Sequence, residues 1–386
     1  MTGTSSQRQD APLLKAVAVL RSEWPLLGTV ATTTLFLLFG QRWLAGLSST
    51  SWFAFVSGWL FTVMLMSAFA VVRHAESLAL KLGEPFGTLI LTLAVTGIEV
   101  MMIAAVMYSG HGNSALARDA MFAVVMIVLN GMIGLSLLLG GLRYHEQTYN
   151  LQGANAFLAV IVPLAVLGLV LPNFTVSSPG PTFSPLQSTF LIVMSVVLYG
   201  VFLAIQTLRH RDYFVAPNLP DAAKGGDNEV PVDHEVRSVA YHTTMLLAYV
   251  LPLVILSKQI AVPINYAIHA LHAPPALGGF LVSVLILSPE SLGATRAALA
   301  NQLQRSVNIL LGSVLASISL TIPSVLAIGF ITGQKIILGL AAVDTTLLLL
   351  TLGLSILTFA SARTNVLLGA VHLLLFLAYV MLIFER

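Results

Sequence analysis

The sequence predicts an all-α, polytopic membrane protein with eleven transmembrane helices. Of its 386 residues, 57% are hydrophobic and only 9% are charged, whereas soluble domains carry about 25% charged residues. The mean hydropathy is +0.91, so the chain cannot cover itself with a water-facing surface. Its apolar residues also fall in runs of about 20, the length that a helix needs to cross a bilayer. The expected partner is therefore the lipid bilayer.

Composition also excludes several classes of function. The chain has no cysteine, which rules out disulfides, thiolate metal sites and cysteine nucleophiles. A net charge of +2 gives no support for a nucleic-acid partner. Serine-hydrolase elbows, phosphate-binding loops, dinucleotide fingerprints and H-E-x-x-H are absent from the sequence. We therefore expect neither an enzyme nor a resident cofactor.

The predicted spans follow the apolar runs. They cover residues 24–41, 52–73, 86–109, 119–141, 154–172, 185–208, 238–257, 276–297, 305–331, 336–358 and 364–384. No small-residue cleavage site follows the first run closely, so we interpret 24–41 as a retained extra helix and not as a signal peptide. Residues 1–23 are expected to form a cytoplasmic tail.

Lysine and arginine predict the orientation. With the N-terminus in the cytoplasm, the inside segments carry 13 of the 18 basic residues. Cytoplasmic loops are enriched in these residues. The sequence therefore predicts a protein of the cell (inner) membrane with its N-terminus inside and its C-terminus outside.

The longest polar stretch, residues 209–237, divides the chain into 52–208 and 238–384. It contains six acidic residues, and we interpret it as an acidic cytoplasmic loop. A solvated linker is the simpler role, and a regulatory cation-binding segment stays open.

An internal repeat relates the two parts. "PFGTLILTLAVTGIE" (85–99) aligns with "ALGGFLVSVLILSPE" (276–290), so that Thr92 matches Ser283 and Glu99 matches Glu290. One span later, Asn130 falls near Ser317. Two halves of five helices each have opposite orientations in the membrane, which is typical of inverted-repeat transporters with a site at the midplane.

The repeated glutamates are the main candidates for a site. An isolated charge at the bilayer centre costs about 3 kcal/mol or more, so a carboxylate there indicates function. We expect Glu99 and Glu290 to bind a hard cation through oxygen and to compete for protons with it. Pro289, and Thr96–Gly97 before Glu99, are expected to loosen their helices and expose carbonyl groups.

Weaker candidates surround this pair. The additional oxygen donors are Thr92, Thr96, Asn130, Ser283, Ser288 and Ser317. Asp344 has no repeat mate, so a structural hydrogen-bonding role is equally open. Glu76 is either an interfacial acid or part of the ion pathway. The segment with His269 and His272 is expected to be an amphipathic or re-entrant piece at the outer face.

Three stretches resemble the calcium/cation–proton antiporters, and most closely their bacterial ChaA-type branch. They are "HAESLALKLGEPFGTLILTLAVTGIEVMMI" (74–103), "HEQTYN" (145–150) and "LSPESLGATRAALANQLQRSVNILLGSVLASISLTIP" (287–323). The resemblance implies ten core helices in two inverted repeats, with Glu99 and Glu290 as the central glutamates. It also implies a second-helix glutamate at Glu76 and a ligating amide at Asn130.

The sequence departs from that family at three positions. The asparagine of its G-N-x-x-E signature is Thr96 in the first repeat and Leu287 in the second, and a helix-7 acid is Lys258. Fewer oxygen ligands and an added positive charge favour a looser site that also handles Na⁺ or K⁺.

The predicted function is secondary antiport of Ca²⁺, Na⁺ or K⁺ against H⁺ by alternating access. A passive cation channel is the alternative, and an intramembrane hydrolase is a third possibility without a supporting motif. Ion preference, stoichiometry and a homo-oligomeric state are left open.

Overall fold

The computed structural model describes residues 23–83, 86–107, 114–217 and 237–385, and the following statements concern those ranges. The first six helical segments are α1 Trp24–Ala45, α2 Thr50–Leu82, α3 Phe86–Met107, α4–α5 Leu116–Val125 and Ile133–Tyr144, α6 Leu151–Leu169 and α7 Pro185–Ala204. The other five are α8 Val239–Ala270, α9 Ala276–Leu299, α10–α11 Leu303–Ala316 and Ile322–Thr332, α12 Ala342–Thr358 and α13 Val366–Phe384. The predicted tail and most of the acidic loop lie outside the described residues.

Eight of these segments are long and apolar enough to cross a membrane by themselves. The other three are α1, α3 and α12. Helix α12 has 17 residues, and the apolar part of α3 runs over Leu89–Ala105. Helix α1 is long enough at 22 residues, but it contains three successive threonines and, near its end, Gln41 and Arg42. The described chain is therefore a multi-pass helical membrane protein.

Several helices begin where the sequence supplies a capping side chain. Ser184 and Gln187 form a reciprocal capping box at the start of α7. The side chains of Asn150, Ser238 and Asn365 accept backbone N–H groups at the starts of α6, α8 and α13. Each cap satisfies donors that have no partner inside the helix.

The segment with His269 and His272 was predicted to be an amphipathic or a re-entrant piece, and the re-entrant alternative is wrong. Helix α8 continues without interruption to Ala270, well past the predicted end at 257, and His272 lies in the connection that follows. Pro252 and Pro263 lie inside this helix. Proline is tolerated within membrane helices because neighbouring helices satisfy the freed backbone groups.

The predicted start of the tenth span at 336 is also wrong, because α12 begins at Ala342. The preceding residues pair their backbone with other connections instead. The Ile337 N–H donates to the Ser114 carbonyl at 3.1 Å, and the Leu338 N–H donates to the Pro181 carbonyl at 3.2 Å. Long-range hydrogen bonds of this kind leave no signal in the local sequence.

The sequence predicts loosened helices next to the two glutamates, but the structure has its irregular turns one helix later. Helices α3 and α9 run through Glu99 and Pro289 without a break. Two π-helical turns instead divide the following spans, Met126–Met132 between α4 and α5 and Ser317–Thr321 between α10 and α11. Such turns within helices are frequent at functional sites, and these two contain the matched residues Asn130 and Ser317.

The connections between helices gather at two faces. One face, here called the loop face, contains residues 145–150, 210–217, 300–302 and 360–365. There the two-residue strands β1 Gln147–Thr148 and β2 Arg363–Thr364 pair antiparallel, and Gln147 donates to the Ala298 carbonyl at 2.9 Å. The opposite face contains residues 114–115, 174–184, 271–275 and 333–341, and the backbone bonds described above join the first, second and fourth of these connections.

Candidate functional site

A cavity of about 250 Å³ lies between α2, α3, α7, α9 and α10 and reaches the second π turn. Three of the four predicted acidic residues line it, namely Glu76, Glu99 and Glu290. The structure therefore brings together side chains that lie nearly 200 positions apart in the sequence. Glu99 and Glu290 are close enough for their charges to interact.

Glu99 lies at the inner end of the cavity and is only 2% exposed. Its Oε2 accepts a hydrogen bond of 2.8 Å from the hydroxyl of Ser317. Its Oε1 is buried and has no hydrogen-bond partner among the described residues. A buried carboxylate oxygen without a partner costs free energy, and a proton or a cation would remove that cost.

Glu290 faces the same cavity from α9 and is half-buried. The hydroxyl of Ser313 donates a short hydrogen bond to its Oε2. Ser313 and Ser317 are four residues apart, so they lie on one face of the same helical segment. The second half of the chain therefore supplies one hydroxyl to each glutamate.

Accessibility increases from Glu99 towards the loop face. Glu99 is buried, Glu290 is half-buried and Glu76 is exposed. The charge of Arg305 lies near Glu76, and Gly293 lines the cavity between Glu290 and the loop-face end of α9. The cavity thus opens towards the loop face.

Two threonines of α3, both predicted as additional oxygen donors, line the cavity. Thr92 and Thr96 precede Glu99 by seven and three residues, which aligns them in one stripe. Both are lining residues. Together with Ser313 and Ser317 they make the surroundings of the two glutamates rich in oxygen.

Asn130 is not among the residues that line the cavity. Its side-chain amide donates to the hydroxyl of Thr351 at 2.8 Å, and its Oδ1 lies 3.1 Å from Nδ1 of His372. Nε2 of His372 lies 2.9 Å from the hydroxyl of Thr358. Because the amide oxygen only accepts, His372 carries its proton on Nδ1, and the amide of Asn130 faces α12 and α13.

Three further predicted donors also lie outside the cavity. The hydroxyl of Ser283 donates to the Ala120 carbonyl at 3.0 Å, and that of Ser288 donates to the Val284 carbonyl of its own helix. Asp344 is buried in the first turn of α12. The structure does not bring these side chains to the two glutamates.

Four polar residues that line the cavity were not predicted from the sequence: Ser313, Tyr199, Gln206 and Asn308. Ser313 could have been found, because it precedes Ser317 by one helical turn. The other three are polar residues in α7, in the turn that follows it and in α10. Nothing in their local sequence indicates which side faces a cavity.

A second polar cluster joins α1, α2 and α8 near the loop face. Glu23 is 7% exposed, and its carboxylate lies 2.6 Å from the guanidinium of Arg73. It also accepts hydrogen bonds from Tyr241 at 2.9 Å and Tyr249 at 3.0 Å. His74 lies 3.3 Å from the same carboxylate. This cluster fixes the extra first helix to the first helix of each half.

Glu23 precedes the first predicted span, and its surroundings change its acidity. Burial alone would raise the pKa of Glu23. Hydrogen bonds from His74 and Tyr241 and the positive charge of Arg73 outweigh burial and lower the pKa to about 2. The carboxylate is therefore ionised throughout the physiological range.

Among the described residues, no group of three or more His, Cys, Asp and Glu side chains could hold a metal ion. The cavity is lined instead by the carboxylates of Glu76, Glu99 and Glu290, and hydroxyl groups donate to the last two. Such a set suits an ion that binds and leaves more than one that stays.

Comparisons with known proteins point to one family. A family model described as sodium/calcium exchanger protein matches residues 50–208. The putative ionic transporter y4hA of Sinorhizobium fredii is 44% identical over 83% of this chain and 88% of its own. The sodium-potassium/proton antiporter ChaA of Escherichia coli is 42% identical over 83% of this chain and 86% of its own.

More distant relatives share the fold. A Ca²⁺/H⁺ antiporter of Synechocystis is 24% identical over 73% of this chain and 80% of its own. The solved structure of native YfkE superposes with a TM-score of 0.72 at 16% identity, covering 94% of this chain and all of that one. The H⁺/Ca²⁺ exchanger CAX gives a TM-score of 0.63 at 14% identity, over 94% of this chain and 88% of the other.

Proposed function

The chain belongs to the sodium/calcium exchanger protein family, and from this premise we propose that it exchanges cations for protons across the membrane by secondary antiport. The observation that carries the proposal is the cavity shared by Glu99 and Glu290. Glu99 has a buried oxygen without a hydrogen-bond partner among the described residues. Such an oxygen can hold either a proton or a cation, but not both.

Competition for these two carboxylates couples the two ions. A proton on each glutamate leaves the cavity neutral, and a bound divalent cation balances both carboxylates once the protons leave. A monovalent cation balances one carboxylate, and the other keeps its proton. In each case the uncompensated state is disfavoured because buried charge is costly. The loaded states therefore change sides more readily than the unpaired anion.

The transported cations are Ca²⁺, Na⁺ and K⁺ in this proposal. The relatives are named as sodium-potassium/proton and Ca²⁺/H⁺ antiporters, which supports all three. Ca²⁺ prefers six to eight oxygen ligands. Asn130, Ser283 and Ser288 direct their polar groups to other partners, so the cavity has fewer oxygens than the sequence suggested. This favours the monovalent ions over Ca²⁺.

The proposed direction of transport follows from the distribution of lysine and arginine along the sequence. With the loop face in the cytoplasm and the protein in the inner membrane, the cavity opens to the cytoplasm. Cations enter from there past Glu76 and leave on the other side, while protons move inward along their gradient. This arrangement places the N-terminus inside and the C-terminus outside.

The test is proton flux in energised inverted vesicles, read with a pH-sensitive dye. Addition of Na⁺, K⁺ or Ca²⁺ should trigger proton movement with the wild-type protein. Glu99→Gln and Glu290→Gln should each reduce this response at least about 100-fold, because removal of a charged group that contacts the ion abolishes the competition.

The matched control is Glu146→Gln. Glu146 pairs with Arg363 at the loop face, and its side chain is 59% exposed, so the same change there should leave flux at the wild-type level. If a glutamine variant of either central residue keeps full exchange at normal abundance, the glutamate pair is not the site. Cation flux without proton movement in the wild-type protein would indicate a passive channel.

A further inference from the structure

The matched stripes of α3 and α9 have opposite surroundings. In α3 the stripe from Glu99 through Thr96 to Thr92 lines the cavity and points towards the loop face. In α9 the stripe from Glu290 to Ser283 has the same spacing of seven residues. It points towards the opposite face, because the two helices run in opposite directions.

The stripe of α9 beyond Glu290 is sealed. Ser283 is 1% exposed, and its hydroxyl is bonded to the Ala120 carbonyl of α4. One turn further, a Cβ atom at Gly279 would lie 2.7 Å from the backbone of Asp119 and Ala120. The absence of a side chain at Gly279 therefore allows α4 and α9 to touch along their backbones.

Three aromatic rings lie beside this contact. Tyr379 of α13 is 1% exposed. Its ring meets Phe122 of α4 edge to face at 5.3 Å and Phe280 of α9 at 6.1 Å. This aromatic cluster, Phe122–Phe280–Tyr379, flanks the contact between Ser283 and α4.

The cluster corresponds to residues that line the open cavity. Aligning "MSVVLYGVFL" of α7 with "LLFLAYVMLI" of α13 matches Tyr199 with Tyr379. When the alignment of Asn130 with Ser317 is extended towards the starts of their helices, Phe122 aligns with Ile309. Tyr199 and Ile309 both line the cavity, whereas their mates are packed in the seal.

We propose that the stripe from Glu290 to Ser283 is the second access route to the cation site, and that the Phe122–Phe280–Tyr379 cluster is the gate that closes it. This proposal rests on the exchange function proposed above, because exchange requires the two glutamates to face each side in turn. The ligand of the route is the transported cation or proton. Tyr379, Phe122 and Phe280 act as positioning residues that hold α13 and α4 against α9.

The absence of native cysteine permits a direct test by thiol labelling. Ser283→Cys reports on the closed route, and its repeat mate Thr92→Cys reports on the open cavity. Both are reacted with a membrane-impermeant maleimide, applied to right-side-out or to inverted vesicles. Ser67→Cys is the control, because Ser67 is fully buried and bonded to Thr29 between α1 and α2, away from either route.

We expect Ser283→Cys to react slowly and only from the opposite face, and Thr92→Cys to react rapidly and only from the loop face. Adding Tyr379→Ala should raise the rate at Ser283→Cys about tenfold, because two ring contacts are lost. The rate at Thr92→Cys should fall in the same background, since a two-state protein that opens one route closes the other.

Two further variants keep the test sharp. Tyr379→Phe keeps the ring and should leave both rates close to those of the wild-type background. Phe280→Ala removes one ring contact and should shift both rates in the direction of Tyr379→Ala, but less. Ser67→Cys should stay unreactive in every background.

The proposal is overturned if Tyr379→Ala leaves the rate at Ser283→Cys unchanged, if it raises the rates of all three probes, or if Tyr379→Phe acts as strongly as Tyr379→Ala. Proton flux is measured on the same vesicles. Intact cation-triggered flux with unchanged labelling refutes the gate alone. Absent flux in the wild-type protein refutes the exchange function, whatever the labelling shows.

Discussion

The two halves of this protein share a sequence pattern but differ in what their matched residues contact. Thr92 faces a cavity, and its mate Ser283 is bonded to a carbonyl of α4. Ser317 supports Glu99, while its counterpart Asn130 is bonded to Thr351 and faces His372. The repeat therefore predicts which residues are equivalent, but not which of them lines a cavity. That choice depends on how the neighbouring helices pack in the present conformation.

The largest expected effect tests the sealed side of this comparison. Gly279→Ala should destabilise the protein by about 3 kcal/mol, because the new methyl group would meet backbone atoms of α4 at 2.7 Å and overpacking forces the helices apart. Gly293→Ala is the matched control in the same helix. Nothing lies within 4 Å of a Cβ atom there, so its effect should stay below about 0.5 kcal/mol.

Thermal unfolding in detergent, followed by size-exclusion chromatography, measures both glycine variants. Equal stability of the two would mean that α4 and α9 are not held in close contact. The distinction between an open and a sealed side of α9 would then fail.

A smaller effect is expected at the polar cluster of Glu23, which joins α1, α2 and α8. Glu23→Gln should cost about 2 kcal/mol of stability at neutral pH, because Arg73 and the hydroxyls of Tyr241 and Tyr249 lose a charged acceptor. The pKa of Glu23 is lowered to about 2 from a usual value of 4.5. The stabilisation is therefore complete above about pH 4.5 and disappears as the pH falls towards 2.

The measurement is the difference in melting temperature between wild-type and Glu23→Gln protein across that range. The difference should be constant above pH 5 and shrink below it. A difference that instead grows on acidification would contradict an ionised Glu23. It would also remove the argument that this carboxylate holds α1, α2 and α8 together.

The smallest effect tests the open side. Ser317→Ala removes the 2.8 Å hydrogen bond to Glu99 and should weaken the apparent cation affinity about five- to tenfold, which corresponds to about 1 kcal/mol. Ser319→Ala is the control within the same π turn. Ser319 is fully buried, and its hydroxyl has no hydrogen-bond partner among the described residues, so affinity should not change.

The readout is the cation concentration that gives half of the maximal proton flux. If both serine variants lower the affinity equally, the effect comes from the π turn as a whole. The specific contact between Ser317 and Glu99 would then make no contribution to cation affinity.

Sequence patterns predicted much of the fold and part of the site. Apolar runs located the helices, and the repeat of Glu99 and Glu290 identified two residues that the structure places in one cavity. Helix ends were less accurate. The helix containing His269 continued across its prolines, and the segment before Ala342 was held by distant backbone bonds. These errors share a cause, since partners far away in the sequence decide where a helix ends.

The additional candidate residues for the site fall into two groups. Thr92, Thr96, Glu76 and Ser317 line the cavity, whereas Asn130, Ser283, Ser288 and Asp344 do not. Both groups have suitable polar side chains at plausible depths. Residue type and depth alone could not separate them, because a small rotation of a helix decides which side faces the cavity.

The sequence by itself determined the helical membrane class, and its internal pattern singled out Glu99 and Glu290 as candidates. These follow from local properties, because apolar length, charge scarcity and spacing are written along the chain. Only the tertiary structure decided that the cavity beside the glutamates is lined by Thr92, while the matched residue Ser283 is buried against α4. It also decided that Ser313 and Ser317, and not Asn130, support them. Those facts depend on contacts between helices far apart in sequence, and only the folded packing brings such helices together.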